Sequence, residues 1–330
     1  MEISKRKLKE LYIVMKKCRM HEERAVIEYR KGNICGNVHS AIGQEAIATA
    51  VCSFLNEDDY VFPSHRGYCG FIARGARLDK LWAEMCGRET GYAGGRGGSL
   101  HPVALDRNIP FVPGTVGSQV VLASGVGLGF KMRNLKRVAV AFFGDGATTT
   151  GAFHEGVSFA AAFDLPVVFV CENNQYEEST HWKYWCKLDK LAERASGYGI
   201  PGVSVDGNDV EAVAEVAEEA IKRAREGKGP TLIEGLTYRI LGHHMGDTGY
   251  SYRSKEEIEE WKKKDPINNL YHRLLQAKAI SEKENQEIEA KISEELDEAV
   301  RFALESPVMN PERCFRNTVY FGWEISLNKV

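Results

Sequence analysis

Two short runs without a charged residue dominate the pattern of apolar and polar positions: Val138–Phe143 and Val167–Cys171. Both are rich in Val and Phe, as suits strands buried on both faces of a parallel sheet. Polar residues follow each run at once, Gly144-Asp145-Gly146 after the first and Glu172-Asn173-Asn174-Gln175-Tyr176 after the second. The Ala-rich stretch Gly151–Phe163 between them has the composition of a crossover helix. The pattern therefore predicts a β-α-β unit with polar side chains at the carboxyl ends of both strands, the edge at which open α/β sheets bind ligands.

The rest of the chain extends this picture. Leu8, Leu11, Tyr12 and Met15 recur at helical spacing and predict an amphipathic helix over Met1–Met20. A helix opens at Ser40–Ala46 and runs through Leu55, Tyr60–Phe62 reads as a strand, and Leu81–Cys86, 119–132 and Leu188–Tyr198 read as helical. Val203–Val205 and Thr231–Thr237 read as further strands around a helical stripe of Val210, Val213, Ala217, Ile221 and Ala224. Ser281–Glu284 fits a capping box ahead of a stripe through Ile288, Ile292, Leu296, Val300 and Leu304. Residues 91–101 hold five glycines, too many for helix or strand, so this loop either hugs a ligand or packs under another chain. Ala123, Ser124, Gly125, Gly127 and Gly129 predict a close helix–helix approach, within the chain or between subunits. The polar and aromatic stretch 177–188 is expected at a pocket mouth. The expected division is an α/β domain over 1–270, including the N-terminal helix, with a helical extension over 271–330 packed on it.

Composition adds mainly exclusions. With 43% apolar and 27% charged residues and a net charge of −3, the chain is an ordinary globule without the basic excess of a nucleic-acid binder. No apolar run is long enough for a membrane span, and the first twenty residues lack the apolar core of a signal peptide. The eight cysteines form no C-x-x-C pair. Reduced thiols in a reducing compartment, the cytoplasm, are expected rather than a disulfide framework or a zinc site.

The candidate chemistry lies at the two strand ends. Asp145 offers a carboxylate, and Asn174, one crossover further on, a neutral carbonyl oxygen. Both are hard donors suited to Mg²⁺ or Ca²⁺. Mg²⁺ takes only one or two carboxylates and completes its shell with phosphate and water oxygens, so the pair makes sense beside a diphosphate. Gly144 and Gly146 allow the backbone to approach it, and a following helix start would present free N–H groups. Arg66, after the Tyr60–Phe62 strand, has the fork geometry for phosphate oxygens. Backbone groups of Val112–Gly117 can hydrogen-bond a flat heterocycle, since Gly114 and Gly117 leave room. Glu45 is either a base or a helix-terminus residue, His101 either catalytic or structural. Of the adjacent His243 and His244, whose side chains diverge, one is placed to exchange a proton near a reacting carbonyl.

Taken together, IGQEA at 42–46, HRG at 65–67, GGRGGSLH at 94–101, GDGA at 144–147, ENNQY at 172–176, DGND at 206–209, GKGPTLIE at 227–234 and SYRSKEE at 251–257 resemble one family. It is the α subunit of the E1 component of thiamine-diphosphate-dependent 2-oxo acid dehydrogenase complexes, a group that includes pyruvate, branched-chain 2-oxo acid and acetoin dehydrogenases. The resemblance implies a thiamine-diphosphate-binding α/β fold. It implies Mg²⁺ held by Asp145, Asn174 and the main-chain carbonyl of Tyr176, and the diphosphate by Gly146, Ala147 and Arg66. It also implies that Gly114 and Val116 meet the aminopyrimidine, and that His65, where the family often has Tyr, faces the cofactor. His243 matches a loop histidine that binds phosphate and assists reductive acylation of lipoyl. His244 stands where kinase-regulated relatives carry a phosphorylatable Ser. The implied partners are an E1 β subunit in an α2β2 heterotetramer, which supplies the pyrimidine-activating acid, a lipoylated E2 acyltransferase, and a 2-oxo acid or acetoin. Two alternatives stay open: a self-contained decarboxylase or transketolase-like enzyme, and a non-catalytic scaffolding subunit.

Overall fold

A computed structural model describes residues 3–312, together with the backbone of a short antiparallel pairing of Val319–Tyr320 with Trp323–Glu324. Cys314, and the rest of the 271–330 stretch beyond residue 312, lie outside the described residues. The Val138 and Val167 runs become neighbouring strands, β2 (Ala139–Gly144) and β3 (Val167–Asn173). They pair in parallel with Ala139 opposite Val167, and β1 (Tyr60–Phe62) joins the outer side of β2. After β3 and a small hairpin of β4 (Tyr176–Glu177) and β5 (Thr180–His181), the chain crosses to the far edge as β6 (Gly202–Asp206). It returns beside β3 as β7 (Thr231–Leu236). The five-stranded order β1-β2-β3-β7-β6 is parallel throughout.

The absence of charge from Val138–Phe143 and Val167–Cys171 is explained by the two covered faces of β2 and β3; Glu172 enters only at the carboxyl end of β3. Val140, Phe142, Val168 and Val170 join one buried cluster, with α1 (Lys5–Arg30), α2 (Glu45–Cys52), α4 (Leu78–Met85), α7 (Val210–Arg225) and α10 (Glu282–Glu305). The alternate residues Ala139, Ala141, Phe143, Val167, Phe169 and Cys171 join a second cluster, under α5 (Ser118–Met132) and α6 (Gly151–Ala162). A period-2 side-chain alternation split between two apolar layers defines an α/β sandwich. The short α3 (Tyr68–Ala73) follows β1, and α8 (Lys255–Lys262) and α9 (Pro266–Gln276) precede α10. Among the described residues no helix is long and apolar enough to cross a membrane.

Several boundaries differ from the sequence reading. Helix α1 runs on to Arg30, because its second half buries polar residues, His21, Glu22 and Glu28, which hide the apolar stripe. Helix α2 begins only at Glu45 and ends at Cys52; Ser40–Gln44 is a non-helical approach. Residues Leu191–Tyr198 form a 3-10 rather than an α-helix. The small face of α5 packs within the chain: Ser124 Oγ donates to Gly156 O of α6 at 2.9 Å, and a Cβ on Gly127 would strike Val167. Gly125 and Gly129 of the same helix have no heavy atom within 4 Å of where a Cβ would stand.

The glycine-rich loop wraps a carboxylate of its own chain. Glu84, buried on α4, accepts from the backbone N–H groups of Ala93 at 2.7 Å, Gly95 at 2.9 Å and Gly97 at 2.6 Å. A Cβ on Gly91 would meet the Glu84 carboxylate at 2.4 Å, and one on Gly97 the carbonyl of His101 at 2.2 Å.

Candidate functional site

The carboxyl ends of β1, β2, β3 and β7 point into one cavity of about 180 Å³, open on one side. Its wall takes Gln44 from the approach to α2, His65 and Arg66 from beyond β1, and Gly114 and Val116 from the loop before α5. Asp145, Gly146 and Ala147 follow β2, Glu172, Asn174 and Tyr176 come from β3 and its exit, and Arg239 and His243 from beyond β7. His65, Arg66, Gly114, Val116, Asp145, Gly146, Ala147, Asn174, Tyr176 and His243 are therefore brought to one place, and His244 is not part of the lining. His101 stays outside the lining: its Nδ1 pairs with Val112 O at 3.1 Å, and its ring backs Gly114. Glu45 is structural, since its carboxylate accepts from Gly43 N–H and pairs with Arg19.

Strand periodicity sorts the Asn-Asn pair. Asn173 turns away, donating to buried Glu234 at 2.7 Å, which leaves Asn174 to face the cavity. Gln175 then adopts a left-handed conformation, φ 78°, that reverses the chain toward Tyr176. Beyond β2 the chain makes a 3-10 turn over Asp145–Thr149 before α6 begins. Thr150 caps α6, accepting from Phe153 N–H, and lines the cavity together with Asp145, Gly146 and Ala147 of the turn. Gly146 must lack a side chain, because a Cβ would lie 2.7 Å from Glu177.

The electrostatics are unbalanced in two places. Asp145 is 1% exposed and its Oδ2 has no hydrogen-bond partner. Burial pushes its pKa up to about 7, the signature of a carboxylate short of a cation. Across the cavity two guanidinium groups are crowded. Arg66 donates to Ser40 O at 3.0 Å and to His243 O at 2.7 Å. Arg239 donates to Tyr176 O at 3.1 Å and Tyr252 Oη at 2.8 Å, and its buried Nε has no partner. Burial, and then Arg239, lower the pKa of Arg66 to about 9. Two adjacent buried cations fit a polyanion, and the free Asp145 oxygen fits a divalent cation beside it.

His243 is held neutral. Burial, followed by Arg66 and Arg239, lowers its pKa to about 4. Its Nδ1 lies 3.0 Å from Arg66 Nη2 and 3.4 Å from Arg239 Nη1. Both partners can only donate, so Nδ1 accepts and Nε2 carries the proton. The loop is fixed from behind by Asp247, whose carboxylate accepts from His243 N–H at 2.6 Å and Tyr252 Oη–H at 2.5 Å. His39, which the sequence reading did not single out, packs edge-on against His65 at 4.8 Å and His243 at 5.0 Å between ring centroids. Arg239 also escaped that reading. The signals for it were its place two residues beyond a buried strand and the need of a second cation for a diphosphate. Among the described residues no group of three or more His, Cys, Asp or Glu side chains could hold a metal ion, which leaves a shared shell with a ligand as the arrangement for a cation at Asp145.

Fold and site together describe an α/β enzyme subunit with a ligand cavity at the carboxyl ends of its parallel strands. Residues 13–312 match the family model described as dehydrogenase E1 component, and the chain belongs to that family. It is 42% identical over 315 residues to the α subunit of the acetoin:2,6-dichlorophenolindophenol oxidoreductase of Bacillus subtilis, covering 95% of this chain and 93% of that protein. It is 36% identical to the α subunit of the pyruvate dehydrogenase E1 component of Porphyra purpurea, covering 93% of this chain and 91% of that one. It is 37% identical to the testis-specific mitochondrial form from Homo sapiens, covering 90% and 76%. Membership of this family implies use of thiamine diphosphate and partnership with a β subunit.

Proposed function

We propose that the chain is the E1 α subunit of a pyruvate or acetoin dehydrogenase complex, that its cavity binds the diphosphate end of thiamine diphosphate through Mg²⁺, and that it works as an α2β2 assembly in the cytoplasm. The observation that carries this reading is the unpartnered, buried Asp145 Oδ2 facing two crowded guanidinium groups. Asp145, Asn174 and the carbonyl of Tyr176 hold the metal. Gly146 and Ala147 lend backbone N–H groups to the diphosphate, with Arg66, His65 and His243 around it; Arg239 adds the second cation. Gly114 and Val116 meet the aminopyrimidine with backbone atoms. Bound there, the cofactor supplies the nucleophilic carbon and electron sink that cleavage beside a carbonyl requires. The chain's own part is to orient it, exclude water and present the Nε2–H of His243 as a proton donor during acyl transfer to a lipoyl group. The 2-oxo acid and the lipoylated acyltransferase enter from the open side.

The test is calorimetric titration of thiamine diphosphate, with Mg²⁺, into the chain assembled with its β subunit. Asp145→Ala is expected to weaken binding at least about 100-fold, because the metal loses its only carboxylate. Unchanged affinity would remove the assignment. Turnover by the assembled complex across pyruvate, branched-chain 2-oxo acids and acetoin then decides the substrate. Full decarboxylation by the chain alone would favour a self-contained enzyme instead.

A further inference from the structure

The carboxamide of Asn174 has two ends of nearly equal shape, and only its oxygen can bind a cation. Two contacts decide which end goes where. Tyr176 N–H donates to Asn174 Oδ1 at 3.4 Å, and Asn174 Nδ2 donates to Gln44 Oε1 at 3.2 Å. Turning the carboxamide over would set an N–H against the Tyr176 N–H and lose both bonds. Turning both amides together would keep the bond between them, so the Tyr176 N–H sets the sense and the Gln44 contact carries it on. Accepting at Oε1 leaves Gln44 with its Nε2 as the other end, and that atom is buried, has no partner and belongs to a residue lining the cavity.

Gln44 is itself set rigidly. It is 3% exposed, and its N–H donates to Ala41 O at 2.9 Å. The preceding Gly43 has φ 95°, and a Cβ there would lie 2.7 Å from Ile240. On either side of the Gly43–Gln44 peptide, Gly43 N–H is gripped by the Glu45 carboxylate and Gly43 O accepts from Thr237 Oγ1 at 3.2 Å. A buried amide with one end used and the other free is costly unless something completes it. The sense of the chain Tyr176 N–H to Asn174 to Gln44 means that this free end is a donor, fit for an anionic oxygen.

Resting on the reading of the cavity as a metal–diphosphate site, we infer that Gln44 is a positioning residue: its Oε1 keeps the Asn174 oxygen turned to the metal, and its Nε2–H donates to a phosphate oxygen of the cofactor. The two ends of one side chain thus serve the two halves of the ligand, and substitutions can separate them. Gln44→Leu removes both functions. Gln44→Glu keeps an acceptor for Asn174 Nδ2 and replaces the donor by a carboxylate oxygen that repels phosphate.

The experiment uses the chain assembled with its β subunit. Mn²⁺ replaces Mg²⁺ and is read by electron paramagnetic resonance at saturating thiamine diphosphate, and the cofactor's own Kd is measured by calorimetry. Gln44→Leu is expected to raise the Mn²⁺ Kd about 10- to 100-fold, as loss of a residue supporting a metal ligand does. Gln44→Glu is expected to hold the Mn²⁺ Kd within about threefold while the cofactor Kd rises at least about tenfold, a split that general loosening of the site would not produce. Asp145→Ala is the control. Wild-type Mn²⁺ binding by Gln44→Leu with loss in Asp145→Ala overturns the role of Gln44 and leaves the site standing. Wild-type binding by Asp145→Ala overturns the site reading itself, and the inference with it. If Gln44→Leu fails to assemble, the Glu variant decides: equal losses of metal and cofactor affinity, or none, reject the inference.

Discussion

His21 is the clearest case of a residue whose environment sets a measurable property. It is fully buried on α1 between the rings of Tyr68, 5.0 Å away, and Trp82, 5.1 Å away, with neither ring nitrogen partnered. Burial, and secondarily Lys17, lower its pKa to about 3. A folded-state pKa below the unfolded value means that the stability tied to the neutral ring is present above about pH 6.5 and is lost as pH falls toward the folded pKa. Each pH unit in that window amounts to about 1.4 kcal/mol. His21→Phe keeps the ring packing and removes the proton acceptor. Urea unfolding at pH 7, 5.5 and 4.5 should show the variant gaining on the wild type by about 1.4 kcal/mol per unit below pH 6.5. Parallel loss in both proteins would show that the ring is protonated in the folded state. A second residue-scale expectation concerns Arg239. Arg239→Lys keeps the charge but loses the fork that spans Tyr176 O and Tyr252 Oη, so cofactor affinity should fall about 10-fold or more, with turnover at saturation also reduced through the displaced His243.

At the scale of elements, the glycine-rich loop shows where sequence reasoning has limited reach. Five glycines announce close approach of the backbone to something, but not to what. The partner is one carboxylate on α4, only 9 to 13 residues back along the chain but indistinguishable there from any helical Glu. Glu84→Gln should cost about 2–4 kcal/mol, because three charge-assisted hydrogen bonds lose their charge and one amide end presents N–H groups to backbone N–H groups. Arg96, exposed at the tip of this loop, supplies the readout: trypsin should cut there faster in the variant than in the wild type. Unchanged cleavage and melting would mean that the loop is held by other contacts. By contrast β2 and β3 were legible because burial on two faces excludes charge from Val138–Phe143 and Val167–Cys171. Asp145 and Asn174 were legible because ligand groups of a parallel sheet collect at strand ends. His39 was not: nothing around it in the sequence signals that two distant segments will bring His65 with Arg66, and His243, around it. Nor was the second half of α1, where buried polar groups replace the apolar stripe on which helical periodicity depends.

For the whole molecule the open question is whether the C-terminal helix is an appendage or part of one cooperative body. The chain turns charged and helical from Ser254, and the sequence offers no firm boundary before about residue 270, where the division is set. The packing argues for tight coupling across it. Ile292, Leu296, Ala299 and Val300 belong to the same buried cluster as Met15 of α1, Leu81 of α4 and Val140 of the central sheet. Across α1 and α10, Lys16 meets Glu289 at 2.5 Å, Lys17 meets Glu295 at 2.6 Å and Arg24 meets Asp297 at 2.5 Å, with Lys9 and Glu284 at the far end. These pairs are partly exposed, so each adds at most about 1 kcal/mol and sets register more than stability. The coupling must therefore come from the apolar stripe. We propose that the two parts unfold together, and Leu296→Ala discriminates. Its side chain is 3% exposed, so truncation should cost about 2–5 kcal/mol. In a single cooperative unit the whole calorimetric transition moves to lower temperature, as one peak. If α10 instead detaches first, the variant shows a separate low-temperature transition while the main peak and the cofactor affinity stay where they were. Molar salt added to the wild type should shift that peak only slightly, since screening reaches the exposed pairs and leaves the buried stripe untouched.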